Sequence, residues 1–196
     1  MTLRGLYAIT PESDDALLEK VEAALRGGIA ALQYRRKSGA RAAAPALRRL
    51  ARRYGVPFIV NDDVELALEL EADGVHLGRE DGDLAAARRR ARGLILGASC
   101  YDSLERARAA VSAGADYIAF GSVFPSPTKP GAGRAQLALF AQARSLGVPL
   151  CAIGGITLQN ARALVAAGAD LLAVITDLFL ARDVESQARR YAELFA

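Results

Sequence analysis

The sequence predicts an α/β fold, a single (β/α)8 TIM barrel spanning residues 1–196. Three observations lead there. Short apolar runs alternate with amphipathic helical runs from one end of the chain to the other. The runs are continuously apolar rather than alternating with polar residues, as expected of parallel strands covered by helices on both faces. The helix-to-strand joints also repeat themselves: Ala113-Gly-Ala-Asp-Tyr-Ile-Ala119 resembles Ala167-Gly-Ala-Asp-Leu-Leu-Ala173, with Glu71-Ala-Asp-Gly-Val-His-Leu77 and Arg26-Gly-Gly-Ile-Ala-Ala-Leu32 as looser copies. A doubly wound open sheet is the alternative, but no run marks a topological switch point or an edge strand.

The expected strands are Leu6–Ile9, Ala31–Arg35, Phe58–Asn61, Gly74–Leu77, Ile95–Ser99, Tyr117–Gly121, Leu150–Ile153 and Leu171–Ile175. Helices with readable ends lie between them. Ser13 can cap a helix whose apolar face is Leu17, Leu18, Val21, Ala24 and Leu25, and Gly27-Gly28 ends it. Pro45 suits the first position of the second helix. Asp63 and Asp83 can cap the helices after the third and fourth strands, and Asp102 or Ser103 the one after the fifth. Thr157 can cap the run Leu158, Ala161, Leu164, Val165, which Gly168 ends. The last helix, Val184–Phe195, reads as barrel cover.

Composition narrows the function. The chain is 52% hydrophobic and 24% charged, with a formal charge of +3. Its arginine runs, Arg52-Arg53 and Arg88-Arg89-Arg90, fall on helices, where a solvated face accounts for them. Aromatic interleaving is missing and Trp is absent, so nucleic acid is not an expected partner. No apolar run approaches the ~18 residues of a membrane span, and the N-terminus lacks a signal-peptide core. Cys100 and Cys151 are far apart in expected strands with no C-x-x-C, and read as buried thiols of a cytoplasmic protein. Nothing in the sequence decides whether the protein forms a homo-oligomer.

In such a barrel, functional residues belong at the C-terminal strand ends. The second strand ends Gln33-Tyr34-Arg35-Arg36-Lys37, with Gln33, Arg35 and Lys37 on one face by strand alternation. Cations are costly in an apolar core, so these face the barrel mouth and an anion. The third ends Asn61-Asp62-Asp63, and Glu80-Asp81 follows the fourth. Carboxylates from neighbouring strand ends beside a polyanion suit Mg²⁺, which takes one or two protein carboxylates and completes its shell with water and phosphate oxygens; Asp62 and Asp81 are the candidates. Ser99 ends the fifth strand. The sixth empties into Gly121-Ser-Val-Phe-Pro-Ser-Pro-Thr-Lys-Pro-Gly-Ala-Gly133, a loop stiffened by proline and carrying Ser126, Thr128 and Lys129. Gly154-Gly155 follow the seventh, and Ile175-Thr176 end the eighth, where such barrels commonly hold a phosphate. Two anion sites emerge. One, with Arg35, Lys37, Ser99, Lys129 and the metal acids, suits a diphosphate; the other, with Ser126, Thr128, Gly155, Ile175 and Thr176, suits a monophosphate. His76, the sole histidine, lies within the fourth strand and reads as a packed, hydrogen-bonded side chain.

Together these motifs resemble the thiamine-phosphate synthase family over essentially the whole chain. The marks are Leu6-Tyr-Ala-Ile-Thr10, Gln33-Tyr-Arg-Arg-Lys37, Val60-Asn-Asp-Asp63, Gly74-Val-His-Leu-Gly78 with Glu80-Asp81, Gly97-Ala-Ser99, Gly121 to Lys129, Ala152-Ile-Gly-Gly-Ile156 and Ala173-Val-Ile-Thr176. The resemblance implies a cytoplasmic transferase of thiamine biosynthesis that joins a hydroxymethylpyrimidine diphosphate to a thiazole phosphate and releases pyrophosphate. It implies that Gln33, Tyr34, Arg35, Arg36, Lys37, Asn61, Ser99 and Lys129 bind the pyrimidine diphosphate, with Lys129, Arg35 and Ser99 catalytic. It further implies that Ser126, Pro127, Thr128, Gly155, Ile175 and Thr176 hold the thiazole phosphate, that Asp62 and Asp81 hold one Mg²⁺, and that the chemistry is dissociative. Arg36 stands where the family usually has an acid or a neutral polar residue, and the stretch after Lys37 is short by about one helical turn. Three rivals compete: a thiazole tautomerase with the same barrel, a non-catalytic phosphate-ligand binder, and a phosphosugar isomerase. The paired metal acids and two anion sites disfavour each.

Overall fold

The computed structural model describes residues 3–12, 15–36, 41–125 and 135–196. Eight parallel strands close into a barrel in sequence order: β1 (Gly5–Ile9), β2 (Ala31–Tyr34), β3 (Phe58–Asn61), β4 (Gly74–Leu77), β5 (Ile95–Tyr101), β6 (Tyr117–Phe120), β7 (Leu150–Ile153) and β8 (Leu171–Val174). β8 returns to β1 through Gly5↔Leu171 to Ala8↔Val174. Strands β2, β6 and β8 end one residue earlier than the sequence suggested, and β5 runs two residues further, through a register shift between Ser99 and Tyr101.

Side-chain alternation divides the strands into two cores. The outward set, including Leu6, Leu32, Phe58, Val60, Val75, Leu96, Ile118, Phe120 and Leu172, packs under the helices. The inward set is Tyr7, Ile9, Ala31, Ile59, Tyr117, Ala119, Cys151, Leu171 and Ala173. Glycine makes room where the lumen is narrowest: a Cβ on Gly97 would stand 2.1 Å from the Tyr117 ring, and one on Gly74 2.6 Å from Ile59. Both cysteines are buried and unbridged, as the sequence suggested. Among the described residues, no helix is long and apolar enough to cross a membrane.

The helices are α1 (Leu17–Arg26), α2 (Ala44–Arg53), α3 (Val64–Glu69), α4 (Leu84–Arg90), α5 (Leu104–Ser112), α6 (Ala138–Ala143), α7 (Leu158–Ala167), α8 (Thr176–Phe179) and α9 (Val184–Ala192). Ser13 lies outside the described residues; the N-cap position of α1 is Ala16, and Leu18, expected on its apolar face, is 45% exposed. Pro45 is the second residue of α2, one later than expected. Asp63, Asp83 and Ser103 cap α3, α4 and α5 by accepting from Leu66, Ala85 and Arg106 amides. At α7, Asn160 accepts from the Thr157 amide at 2.9 Å.

The repeated joints now have a physical cause. Each aspartate grips one residue of the preceding strand twice. The Asp116 amide donates to Leu96 O at 2.7 Å, while its carboxylate accepts from Leu96 N at 2.8 Å. Asp73 does the same to Phe58, at 2.9 and 2.8 Å. Asp170 does it to Leu150, at 2.8 and 3.0 Å. A helix arginine then braces each carboxylate: Arg48 on Asp73, Arg88 on Asp116 and Arg144 on Asp170. This corrects the solvated-face account for Arg88 alone; Arg52, Arg53, Arg89 and Arg90 are exposed, as expected. Arg88 also donates to Gly114 O and Leu94 O, and Arg90 and Arg53 pair with Glu65 and Glu22.

Replacing Asp116 with Ala strands the Leu96 amide and should cost about 1–3 kcal/mol. Urea denaturation should show this as a lower midpoint at constant m-value, with Asp116→Asn recovering part of the loss.

Candidate active site

The C-terminal ends of all eight strands form one mouth, and those sequence-predicted residues that the structure describes distribute around it. Thr10, just past β1, is fully buried and ties the first two strand ends together. Its amide donates to Gln33 O at 2.9 Å, and its Oγ1 accepts from the Arg35 amide at 3.0 Å. This latch sets where the chain leaves β2. Gln33 points into the lumen and is 3% exposed. Tyr34, by alternation, points the other way: its ring is buried in the outer core and stacks on Phe58 with centroids 6.3 Å apart. Only the backbone of Tyr34 is therefore placed towards the lumen side. Arg35 and Arg36 follow the strand, half-buried.

After β3 the three-residue run divides its labour. Asp63 is spent on capping α3 and on an ion pair with Arg41 at 2.6 Å. Asp62 sits at φ 66°, a left-handed conformation that few non-glycine residues adopt. Its amide donates to His76 O at 2.8 Å, which fixes this turn to β4. After β4, Asp81 folds back so that Oδ2 accepts from the Gly78 amide at 2.7 Å; a Cβ on residue 78 would come within 2.8 Å of that oxygen. Asp63 and Asp83 cap helices, whereas Asp62, Glu80 and Asp81 do not; of these, Asp62 and Asp81 are the pair expected from the sequence. Asp81 engages one oxygen. Hard carboxylate oxygens from two adjacent strand ends are a donor set that fits Mg²⁺.

The lumen below the mouth holds a continuous chain of polar side chains. Gln33 Nε2 donates to Tyr7 Oη at 2.8 Å. Tyr7 Oη meets Tyr117 Oη at 2.8 Å, Tyr117 Oη meets His76 Nδ1 at 2.9 Å, and His76 Nε2 meets Ser99 Oγ at 2.8 Å. The rings pack edge-on, Tyr7 to Tyr117, at 5.8 Å. Burial lowers the His76 pKa to about 4, so the imidazole is neutral at pH 7. Burial likewise raises both phenols, which stay protonated. His76 is the packed, hydrogen-bonded side chain expected. Tyr7 and Tyr117 were not singled out from the sequence, because each sits inside an apolar run and looks like filler. A second feature that escaped notice is Tyr101, at φ 56° after the β5 irregularity, whose ring lies between the guanidiniums of Arg79 and Arg106 at 4.7 and 5.5 Å.

On the other side of the mouth, Gly154 and Gly155 have φ of 103° and 62°. Their close approach is first of all to their own chain: a Cβ on Gly155 would lie 2.3 Å from Pro125 O, and one on Gly154 2.1 Å from Ser122 Oγ. Val123 and Phe124 amides donate to Ile153 O and Gly154 O, so the loop after β6 starts out pinned to the end of β7. Ile175 is the N-cap position of the single-turn helix α8, and Thr176 is its first residue. First-turn amides of a helix have no partner within it and point outward. Lys37, Ser126, Pro127, Thr128 and Lys129 lie outside the described residues.

Comparisons with known proteins agree with this geometry. The family model for thiamine monophosphate synthase matches residues 6–178. A thiamine-phosphate synthase from Methylobacillus flagellatus is 57% identical, covering 98% of this chain and 96% of the relative. One from Aromatoleum aromaticum is 58% identical, covering 98% and 97%. The solved structure of a thiamine phosphate pyrophosphorylase from Pyrococcus furiosus, 37% identical, superimposes with a TM-score of 0.90 over 99% of this chain and 96% of that one. A 3-hexulose-6-phosphate synthase, at 19% identity and a TM-score of 0.77, shares the barrel alone. With the match running through all eight strands and their ends, the chain belongs to the thiamine monophosphate synthase family.

Proposed function

We propose that this chain joins a hydroxymethylpyrimidine diphosphate to a thiazole phosphate, yielding thiamine phosphate and pyrophosphate. The observation that carries the proposal is the placement of Gln33, Asn61, Asp62, Asp81, Ser99, Gly155 and Thr176 around one barrel mouth, on the strand ends where family members of over 50% identity align. The carbon–oxygen bond to the diphosphate breaks with both electrons leaving on pyrophosphate. The thiazole nitrogen then supplies the electron pair of the new carbon–nitrogen bond. No proton needs to be removed by the protein, and no nucleophile or strong base is needed.

The protein's work is to hold charge. Arg35, Lys37 and Lys129 surround the diphosphate, where charge grows as the bond breaks. Ser99 donates a hydrogen bond to it, and Gln33 and Asn61 orient the pyrimidine. Asp62 and Asp81 would hold Mg²⁺, which when bound supplies further positive charge at the leaving group. Ser126, Thr128 and Gly155 with the Ile175–Thr176 turn hold the thiazole phosphate through neutral donors. The tautomerase alternative would need a base near the thiazole. His76, the sole histidine, has both ring nitrogens engaged, on Tyr117 and Ser99.

Pyrophosphate release should require both substrates; release at full rate from the pyrimidine diphosphate alone would make the protein a hydrolase instead. Electron-withdrawing substituents on the pyrimidine should slow single-turnover rates strongly at saturation, and an unchanged rate would favour direct displacement.

Asp62→Ala and Asp81→Ala should each lose about a hundredfold in turnover with the fold intact by circular dichroism. Normal turnover of the wild-type protein in excess chelator would remove the metal from the scheme.

Lys129→Ala should raise KM chiefly for the pyrimidine diphosphate, and Thr176→Ala chiefly for the thiazole phosphate, by about tenfold each. Equal losses for both ligands in both variants would merge the two sites.

A further inference from the structure

Gln33 and Ser99 are far apart in the chain and on non-adjacent strands, yet they are the two ends of one buried hydrogen-bonded chain. Its proton positions are fixed by counting. The side-chain nitrogen of Gln33 can only donate, so Tyr7 Oη accepts there. The Tyr7 proton then needs an acceptor, and among the described residues the one within reach is Tyr117 Oη. Tyr117 has accepted from Tyr7 and so donates to His76 Nδ1. A neutral imidazole that accepts at Nδ1 carries its proton on Nε2, which donates to Ser99 Oγ at 2.8 Å. Ser99 is thereby committed as an acceptor on its inner side, and its own proton is directed outward to the mouth.

The reverse order fails. If Ser99 donated inward to His76, then His76 would donate to Tyr117 and Tyr117 to Tyr7. Tyr7 would then accept from both Gln33 and Tyr117, and its own proton would be left in a dry lumen without a partner. An unmade hydrogen bond of that kind costs about 1–3 kcal/mol, which favours the first order by roughly five- to 150-fold.

We infer that Tyr117, together with Tyr7 and His76, is a positioning residue that presets Ser99 as a hydrogen-bond donor to an anionic oxygen of the diphosphate substrate. The direction originates at Gln33. The inference rests on the proposed function only for the identity of the anion; the proton order rests on the lumen itself. Three features support a built device rather than incidental packing. Gly97 lacks a side chain where a Cβ would collide with the Tyr117 hydroxyl, at 2.3 Å. The His76 ring lies 5.5 Å from the Tyr117 ring, tilted by 32°, so it is held in place by contact as well as by its two hydrogen bonds. And every link from Gln33 to Ser99 is a hydrogen bond of 2.8 or 2.9 Å, so the chain has no weak joint.

Because the chain has one histidine, ¹⁵N-labelled protein gives a single imidazole spin system whose two nitrogens report the tautomer directly. The expected result for the wild-type protein, with no substrate present, is the Nε2–H tautomer. An Nδ1–H tautomer would overturn the inference whatever the enzyme's activity. Tyr117→Phe keeps the ring and removes the link. It should populate the Nδ1–H tautomer and lower kcat by about ten- to a hundredfold, leaving KM for the thiazole phosphate unchanged. In a Ser99→Ala background the same substitution should have little further effect on kcat, since it acts through Ser99. Additive losses in the double variant would mean that Tyr117 supports the barrel generally and does not act through Ser99. Tyr7→Phe, which removes the upstream donor and keeps Tyr117, should shift the tautomer in the same direction; an unshifted tautomer there would break the link to Gln33.

Discussion

The site depends on how a narrow eight-stranded lumen is filled. Closing eight strands leaves an interior just wide enough for side chains. Here two tyrosines, Tyr7 and Tyr117, enter it from β1 and β6 and meet edge to face. Filling the lumen with phenols solves the packing problem and creates a polar one, since each hydroxyl must find a partner where water is excluded. Gln33 and His76 provide those partners, and Ser99 completes the line. Gly97 is the corresponding vacancy on β5. The same residues that satisfy the core therefore set the orientation of the groups presented at its upper surface. Core and site are not separate layers of this molecule.

The opposite end of the barrel follows a different rule. There the aspartates at the helix-to-strand joints bind the preceding strand through both amide and carboxylate, and each is braced by an arginine from a helix. These contacts fix the strand register, and register decides which residues face inward: a slip by one would exchange Gln33 with Tyr34 and His76 with Val75 or Leu77. The chemistry at the top thus relies on clasps at the bottom, a barrel length away, that touch no substrate.

Much of this was open to reading in the sequence, for a physical reason. Continuous apolar runs report strands covered on both faces, and the repeated Ala-Gly-Ala-Asp joint reports a repeated turn. The acids at the strand ends could be sorted as well, because Asp63 and Asp83 precede helical runs by one residue and Asp62 and Asp81 do not. Other features depend on side chains meeting across the barrel, which no local pattern encodes. Tyr7 and Tyr117 look like apolar filler until their hydroxyls are seen to meet. Tyr34 is adjacent to Gln33 in a polar strand end, yet alternation sends it outward onto Phe58. Arg88 is one of three consecutive arginines and reads as solvated, but its position on α4 brings it over Asp116. Gly155 is expected to meet a ligand, yet the first thing it and Gly154 accommodate is the chain's own loop at Ser122 to Pro125.

The places where the backbone is least comfortable carry the remaining argument. Among the described non-glycine residues at positive φ, Asp62 follows β3 and Tyr101 ends β5, both at the mouth, whereas Glu71 lies at the opposite end, between α3 and β4. Aspartate enters this region several-fold more readily than most residues, whereas a bulky side chain such as that of Tyr101 persists there only where its surroundings hold it. Asp62 is held by its amide bond to His76 O, and Tyr101 by two flanking guanidiniums. Tyr101 Oη also accepts from the Arg79 amide at 3.3 Å, which joins the end of β5 to the loop after β4. Strain on this scale, of order 1 kcal/mol per residue, is small against the stability that the clasped barrel supplies. At Asp62 and Tyr101 it lies beside the strand ends that carry the proposed diphosphate residues. In the proposed reaction, a packed lumen beneath that region would keep the donors from relaxing away as the charge moves, which electrostatic catalysis without a protein nucleophile requires.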